Sequence, residues 1–202
     1  PGHSSAASDV YKRQVVEAPS KTAVFAFGRM NPPTAGHKKL VNTIMKQAGD
    51  HYLFLGPSKS ASPATDPLTH EQKVKYATAM FPGIQLGDSS VRTWVQAMQY
   101  LQKRGYTDII YVAGSDRANT FNTLLNRYNG KDYNFNSIKT VDAGTRDPDS
   151  PGIEGISASK MRELAMRGDE KNFIRMTPLP TKLAKTMYDE VRKGMGVQKE
   201  PA

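Results

Sequence analysis

The chain has 202 residues, 28 Lys plus Arg against 19 Asp plus Glu for a formal charge of +9, and no cysteine. That length suffices for one domain with a proper core, and the missing cysteines exclude a disulfide scaffold and a thiolate zinc site and point to a reducing, cytoplasmic compartment. No apolar run approaches the roughly 18 residues of a membrane span, and the basic residues form no dense run or aromatic-interleaved stripe, so a nucleic-acid surface is not expected.

Residues 1–20 are dominated by Pro, Gly, Ser and Ala without hydrophobic period, and no part in the fold is expected of them. The chain lacks an initiator Met and is read there as processed, tagged or a fragment; Val10–Val16 has no apolar core of the signal-peptide kind. The fold is expected to run over 21–176, with 177–202 as a C-terminal helix and tail. Thr22–Phe27 reads as a buried strand, and Gly28 and Pro32-Pro33 turn the chain. A helix follows over Ala35–Ala48, with Leu40, Val41, Ile44 and Met45 at helical spacing. Such a turn aims the first helical N–H groups into open space, where a phosphate fits. Gly36 permits close approach of a ligand to the backbone, and His37 sets an imidazole beside the same place.

Tyr52–Leu55 is a second strand, and the segment Gly56–Pro67 that follows is long enough for a lid as well as an idle loop, with Lys59 within reach of a phosphate. Thr69 and Gln72 form a capping box for a helix whose apolar residues are Val74, Ala77, Met80 and Phe81. Ile84–Leu86 is a short strand, and Ser90 is expected to open the next helix, which buries Val91, Trp94, Val95, Met98 and Leu101 and ends at Gly105. Asp108–Ala113 is apolar nearly throughout, as a strand covered on both faces must be. Gly114-Ser115-Asp116 leads into a helix through Phe121, Leu124 and Leu125, with Asp116 open to two roles: helix cap, or ligand for a ribose hydroxyl or Mg²⁺. Ser137–Val141 is the fifth strand, Ala143–Gly155 a loop, and Ser157 or Ser159 caps a helix that carries Arg162. Thr177–Pro180 is a hinge into a last helix over Thr181–Lys193. Strands alternating with helices predict an α/β, doubly wound, Rossmann-like parallel sheet with helices on both faces and a C-terminal helical appendage.

Two stretches carry a resemblance. Gly28–His37, GRMNPPTAGH, resembles the first signature of the nucleotidylyltransferase superfamily, (H/T)xGH, and Ile156–Arg162, ISASKMR, resembles its second, ISxSxxR. Both occur in order, each at an expected helix start. The resemblance spans about Lys21 to Met176 and implies a five-stranded sheet of order 3-2-1-4-5. It also implies transfer of a nucleotidyl group from a nucleoside triphosphate to a small phosphorylated acceptor, with Mg²⁺ held mainly by the phosphates and pyrophosphate released. By the same resemblance His37 donates to the α-phosphate, Thr34 stands where a first His is commoner, and Ser157 and Ser159 face the β- and γ-phosphates. Arg162 holds the leaving pyrophosphate, and Gly28, Arg29, Gly36, Gly114 and Asp116 line the nucleotide site. A Thr at position 34 is similar to the pantetheine-phosphate adenylyltransferases. Gly28-Arg29 and Asn31-Pro32-Pro33 resemble the nicotinamide- and nicotinate-mononucleotide enzymes, as does Gly114-Ser115-Asp116. Glu154–Ser157 matches the centre of the cytidylyltransferase RTEGIST, but Gly152-Ile153 stand where that motif has Arg-Thr. ATP is therefore expected over CTP. A nucleotide sensor without turnover is the reading from another class, and its disfavour rests on the joint presence of His37, Ser159 and Arg162. Trp94 is either core or a stacking surface for an acceptor base. The oligomeric state is left open, with a homo-oligomer compatible.

Overall fold

The apolar run that begins at Thr22 is the central strand of a five-stranded, wholly parallel sheet in the computed structural model, which describes residues 19–57, 61–145 and 152–197. The strands are β1 (Thr22–Gly28), β2 (Asp50–Leu55), β3 (Gln85–Leu86), β4 (Asp108–Ala113) and β5 (Ser137–Asp142). Their order is β3-β2-β1-β4-β5, as the resemblance implies, with Gly28 level with Leu55 and Ala113 level with Asp142. Every strand therefore ends on the same edge, and winding reverses between β1 and β4, where such sheets open a crevice.

Successive strand residues point to opposite faces, which is why both halves of the apolar run are needed. Val24, Ala26, Leu53, Leu55 and Val112 pack against Val41 and Ile44 of α1 (Lys38–Lys46) and Ala77 of α2 (His70–Met80). On the other face Phe25, Phe54, Ile109 and Tyr111 pack against Met98 and Leu101 of α3 (Trp94–Lys103) and Leu125 of α4 (Ala118–Arg127). Each large side chain buried this way contributes about 1.5–3 kcal/mol.

A third cluster joins α5 (Ala158–Met166), α6 (Glu170–Arg175) and α7 (Thr181–Gly194) to Leu68 and Tyr76. It alters the expected face of α2. Tyr76 is fully buried against the C-terminal helices and its hydroxyl donates to Glu190, while Val74 and Met80 are only half-buried. The helix is gripped from two sides, so one apolar stripe does not describe it. α6 was not expected: its six residues, capped by Asp169, are too short to show a period. Gly194 lies against Pro67, so close that a Cβ would overlap the Pro67 carbonyl oxygen.

The third helix also starts later than expected. Asp88 accepts from the Ser90 N–H and hydroxyl in a local turn, and Thr93 with Gln96 supplies the capping box that opens α3 at Trp94. The capping box of Thr69 and Gln72 is as expected. Residues 1–18 lie outside the described residues; Ser20 donates to Asp108 (2.9 Å) and the Lys21 N–H donates to Thr107 (2.9 Å). Among the described residues no helix is long and apolar enough to cross a membrane.

Candidate active site

The turn after β1 is built around two buried residues. Met30 has φ +41°, a left-handed conformation that a side chain adopts at a cost, and such strain concentrates at functional turns. Asn31 is 1% exposed, and its amide pairs with both backbone groups of Leu68: Nδ2 donates to the carbonyl and Oδ1 accepts from the N–H, each at 3.0 Å. The turn after β1 and the loop after β2 are thereby fixed to each other.

Pro32 and Pro33 lead to Thr34 and a 3₁₀ turn over Ala35–His37 that precedes α1. The Thr34 N–H donates to His37 Nδ1 at 3.0 Å. A nitrogen that accepts from an N–H carries a lone pair, so the neutral ring is protonated at Nε2, its donor atom. The Thr34 hydroxyl donates to the Ile156 carbonyl at 2.9 Å and lies 3.1 Å from the same Nδ1. Gly36 answers to the same carbonyl: a Cβ there would overlap the Ile156 oxygen. The close approach expected at Gly36 is thus made by the backbone of the second motif.

That motif returns the grip. Ser157, not Ser159, caps α5, its Oγ accepting from the Lys160 N–H at 3.1 Å. Ser159 is left on the exposed first turn, 3.1 Å from Arg162 Nη2. Arg162 is 8% exposed and its Nη1 donates to the Asn31 carbonyl at 2.8 Å. Burial, and next the positive charge of Arg29, lower the guanidinium's affinity for its proton, though an arginine stays charged. Lys160 turns away to Glu163. Arg29 itself is exposed beside Gly28. The two stretches, more than a hundred residues apart in sequence, thus meet directly through Thr34, Gly36, Asn31, Ile156 and Arg162.

Gly114-Ser115-Asp116, at the end of β4, belongs to a neighbouring group. Ser115 donates to Asp142 at 2.8 Å, the Gly144 N–H donates to the same oxygen at 2.7 Å, and Lys39 donates to the Thr145 carbonyl at 2.8 Å. The Gly144 N–H first and then the Ser115 hydroxyl hold the Asp142 carboxyl below its usual range, and the Lys39 bond ties the loop after β5 to the start of α1. The Asp116 side chain is 81% exposed, 3.8 Å from Arg117. It does not cap α4, whose N-cap is Arg117. At Gly114 a Cβ would come within 3.0 Å of Asp116 Oδ1, tighter than an ordinary contact.

Trp94 is half-buried, its ring edge-on to Phe121 and Tyr128 at 6.5 and 5.8 Å. Lys59 lies outside the described residues, as do 58 and 60 of its loop. Two residues near the turn were not anticipated from sequence. Asn31 is one. The other is Lys73, 3% exposed, whose ammonium donates to the carbonyls of Arg29 (3.0 Å) and Gly56 (3.1 Å) and is pulled down to about 8, chiefly by burial. Its spacing was the available signal, since Lys73, Ala77 and Phe81 share one helical stripe.

No protein-family model matches this chain, and no curated protein matches it. Among solved structures, the chain superposes on a protein of Vibrio parahaemolyticus that carries a provisional assignment as a nicotinate-nucleotide adenylyltransferase. The TM-score is 0.53 at 16% identity, over 83% of this chain and 98% of that one, and the likeness is one of fold.

Proposed function

We propose that this chain transfers a nucleoside monophosphate, AMP from ATP in preference, to a small phosphorylated acceptor with release of pyrophosphate. The observation that carries the reading is the pinned imidazole: His37 Nδ1 accepts from the Thr34 N–H, which makes Nε2 the donor nitrogen of the neutral ring. The fold shared with the Vibrio parahaemolyticus protein and the resemblance of the two motifs support the reaction class.

In this reaction an acceptor oxygen attacks the α-phosphorus in line, the new P–O bond forms, and the bond to the pyrophosphate oxygen breaks. Catalysis of such a step is positioning and charge stabilisation. His37 Nε2–H donates to an α-phosphate oxygen as its charge grows. The start of α5 faces the β- and γ-phosphates with its N–H groups and the Ser159 hydroxyl. Arg162 has five N–H donors, two of them engaged by Asn31 and Ser159, and offers the others to the leaving pyrophosphate. Among the described residues no group of three or more His, Asp or Glu side chains is gathered to hold a metal. Mg²⁺ would enter as part of the Mg–ATP substrate, held mainly by the phosphates.

Cytidylyl transfer is the second reading, favoured by Glu154–Ser157 alone. Titration with Mg²⁺ present separates the two: ATP is expected to bind at least about tenfold more tightly than CTP, roughly 1.4 kcal/mol. Equal affinities, or a preference for CTP, would discard the adenylyl reading. Pyrophosphate release on mixing ATP with phosphorylated acceptors tests turnover against a silent sensor.

Arg162→Ala is expected to weaken ATP at least about tenfold more than it weakens the acceptor, because charge-assisted bonds to the triphosphate are lost. Calorimetry with each ligand checks this, and equal losses would remove Arg162 from the phosphate clamp.

A further inference from the structure

Beside the turn after β1, under the loops after β2 and β3, lies a cavity of about 140 Å³. Its walls include Asn31, Asp66, His70, Lys73 and Arg92. Whole ligands occupy roughly 300–1,000 Å³, so this space admits one end of a molecule.

Several of its polar groups keep hydrogen-bonding capacity beyond the bonds they make. Lys73 is a buried ammonium with three N–H donors, and two of them go to the carbonyls of Arg29 and Gly56. His70 is bound on one side to the Gly87 backbone, while its Nε2 is buried and has no hydrogen-bond partner among the described residues. The Arg92 side chain is exposed at the rim and makes no hydrogen bond or ion pair among the described residues; only its backbone N–H is bonded, to Gln96. One carboxylate, Asp66, opposes these cations and is engaged by the Thr65 hydroxyl at 2.8 Å. Lys73 and Arg92 supply two cations in the wall; Asp88 and Glu71 also act on His70, drawing its titration up against burial and Lys73, and His70 adds a proton when an anion arrives. A buried nitrogen without a partner costs about 1–3 kcal/mol, which a bound oxygen would offset.

We propose that this cavity is an oxyanion site that seats an anionic end group of the acceptor through Lys73, His70 and Arg92. The inference rests on the transferase reading only for the molecule that brings the anion; the site itself stands on the cavity and the remaining hydrogen-bonding capacity of its polar groups. Phosphate monoesters and carboxylates share the required chemistry. His70 takes a proton at Nε2 and donates it to one anion oxygen, Lys73 gives its third N–H, and Arg92 closes over the rim.

The test is a titration of the full chain with inorganic phosphate, and separately with acetate, following the histidine imidazoles by NMR. Phosphate or acetate is expected to move the His70 resonances and to raise its titration midpoint, which burial and Lys73 hold below the ordinary histidine value. Whichever anion acts more strongly names the end group. Arg92→Gln and Lys73→Met are each expected to weaken that anion about tenfold or more. Lys73→Met removes bonds to two loops and so endangers folding; Arg92→Gln, at the rim, decides the matter if it fails. A His70 that responds to neither anion, or an affinity untouched by Arg92→Gln, would overturn the proposal. The His37 imidazole, followed during addition of Mg–ATP, reports the reaction centre independently. If it moves while His70 stays silent to both anions, the transferase reading survives and the oxyanion site does not. The reverse result retains the site and rejects the reading.

Discussion

His37→Ala is expected to lower kcat by roughly 10²–10³ while the protein stays folded, the loss typical of removing one donor from a developing oxyanion. His37 is half-buried on a short turn, and its loss leaves the buried Thr34 N–H without that acceptor at about 1–3 kcal/mol, less than a stable domain holds in reserve. His37→Gln is the informative companion. Its amide reaches outward as a donor but cannot reproduce both the Nδ1 acceptor for Thr34 and the Nε2–H at imidazole geometry, so partial activity is expected. Steady-state pyrophosphate release, with circular dichroism to verify folding, reads the outcome. Wild-type turnover in a folded Ala variant would take His37 out of the mechanism.

Gly36→Ala is expected to damage both stability and turnover. The added methyl would overlap the Ile156 carbonyl oxygen, a backbone atom held at the same time by the Thr34 hydroxyl. Relief requires the second motif to back away, which loosens α5 and lengthens the Arg162–Asn31 bond. Overpacking of this kind costs about 1–3 kcal/mol. For a chain of this length that corresponds to a Tm lower by roughly 2–12 °C. A displacement near 1 Å at a reacting centre costs about 10²-fold in rate. A thermal melt and an assay on the same preparation check both effects. A Gly36→Ala protein with unchanged Tm and rate would show that the two motifs do not press on each other there.

These two substitutions differ in what they probe. The first removes a donor and leaves the frame; the second leaves every donor and moves the frame. Together they separate chemistry from positioning, which a single loss of activity cannot do.

The sheet was legible because its strands are buried on both faces. Val24 and Ala26 serve one helical layer and Phe25 the other, so every position must be apolar and the run stands out. Thr69 and Gln72 announced α2 because a capping box is local, complete within four residues. His37, Ser159 and Arg162 were found because their motifs are short and contiguous, and that likeness also implied the strand order later observed. Whether they act as proposed is for the substitutions above.

The tertiary structure decided whatever depends on partners far apart in sequence. Asn31 entered the sequence reading only through the likeness of Asn31-Pro32-Pro33, yet its amide is committed to Leu68 and its carbonyl to Arg162. Gly36 suggested close approach of a ligand, and on the side where a Cβ would stand it is the Ile156 carbonyl that makes a close approach. The spacing of Lys73 with Ala77 and Phe81 marked its stripe of α2, but nothing along the chain told that two loops would cover Lys73 or that the C-terminal helices would cover Tyr76. Ser90 lost the helix start to Thr93 because Asp88 captured it first. Periodicity, caps and motifs are interactions within a few residues and can be read along the chain. A buried ammonium is specified by carbonyls from two other loops, and those meet only once the sheet has brought the strand ends together.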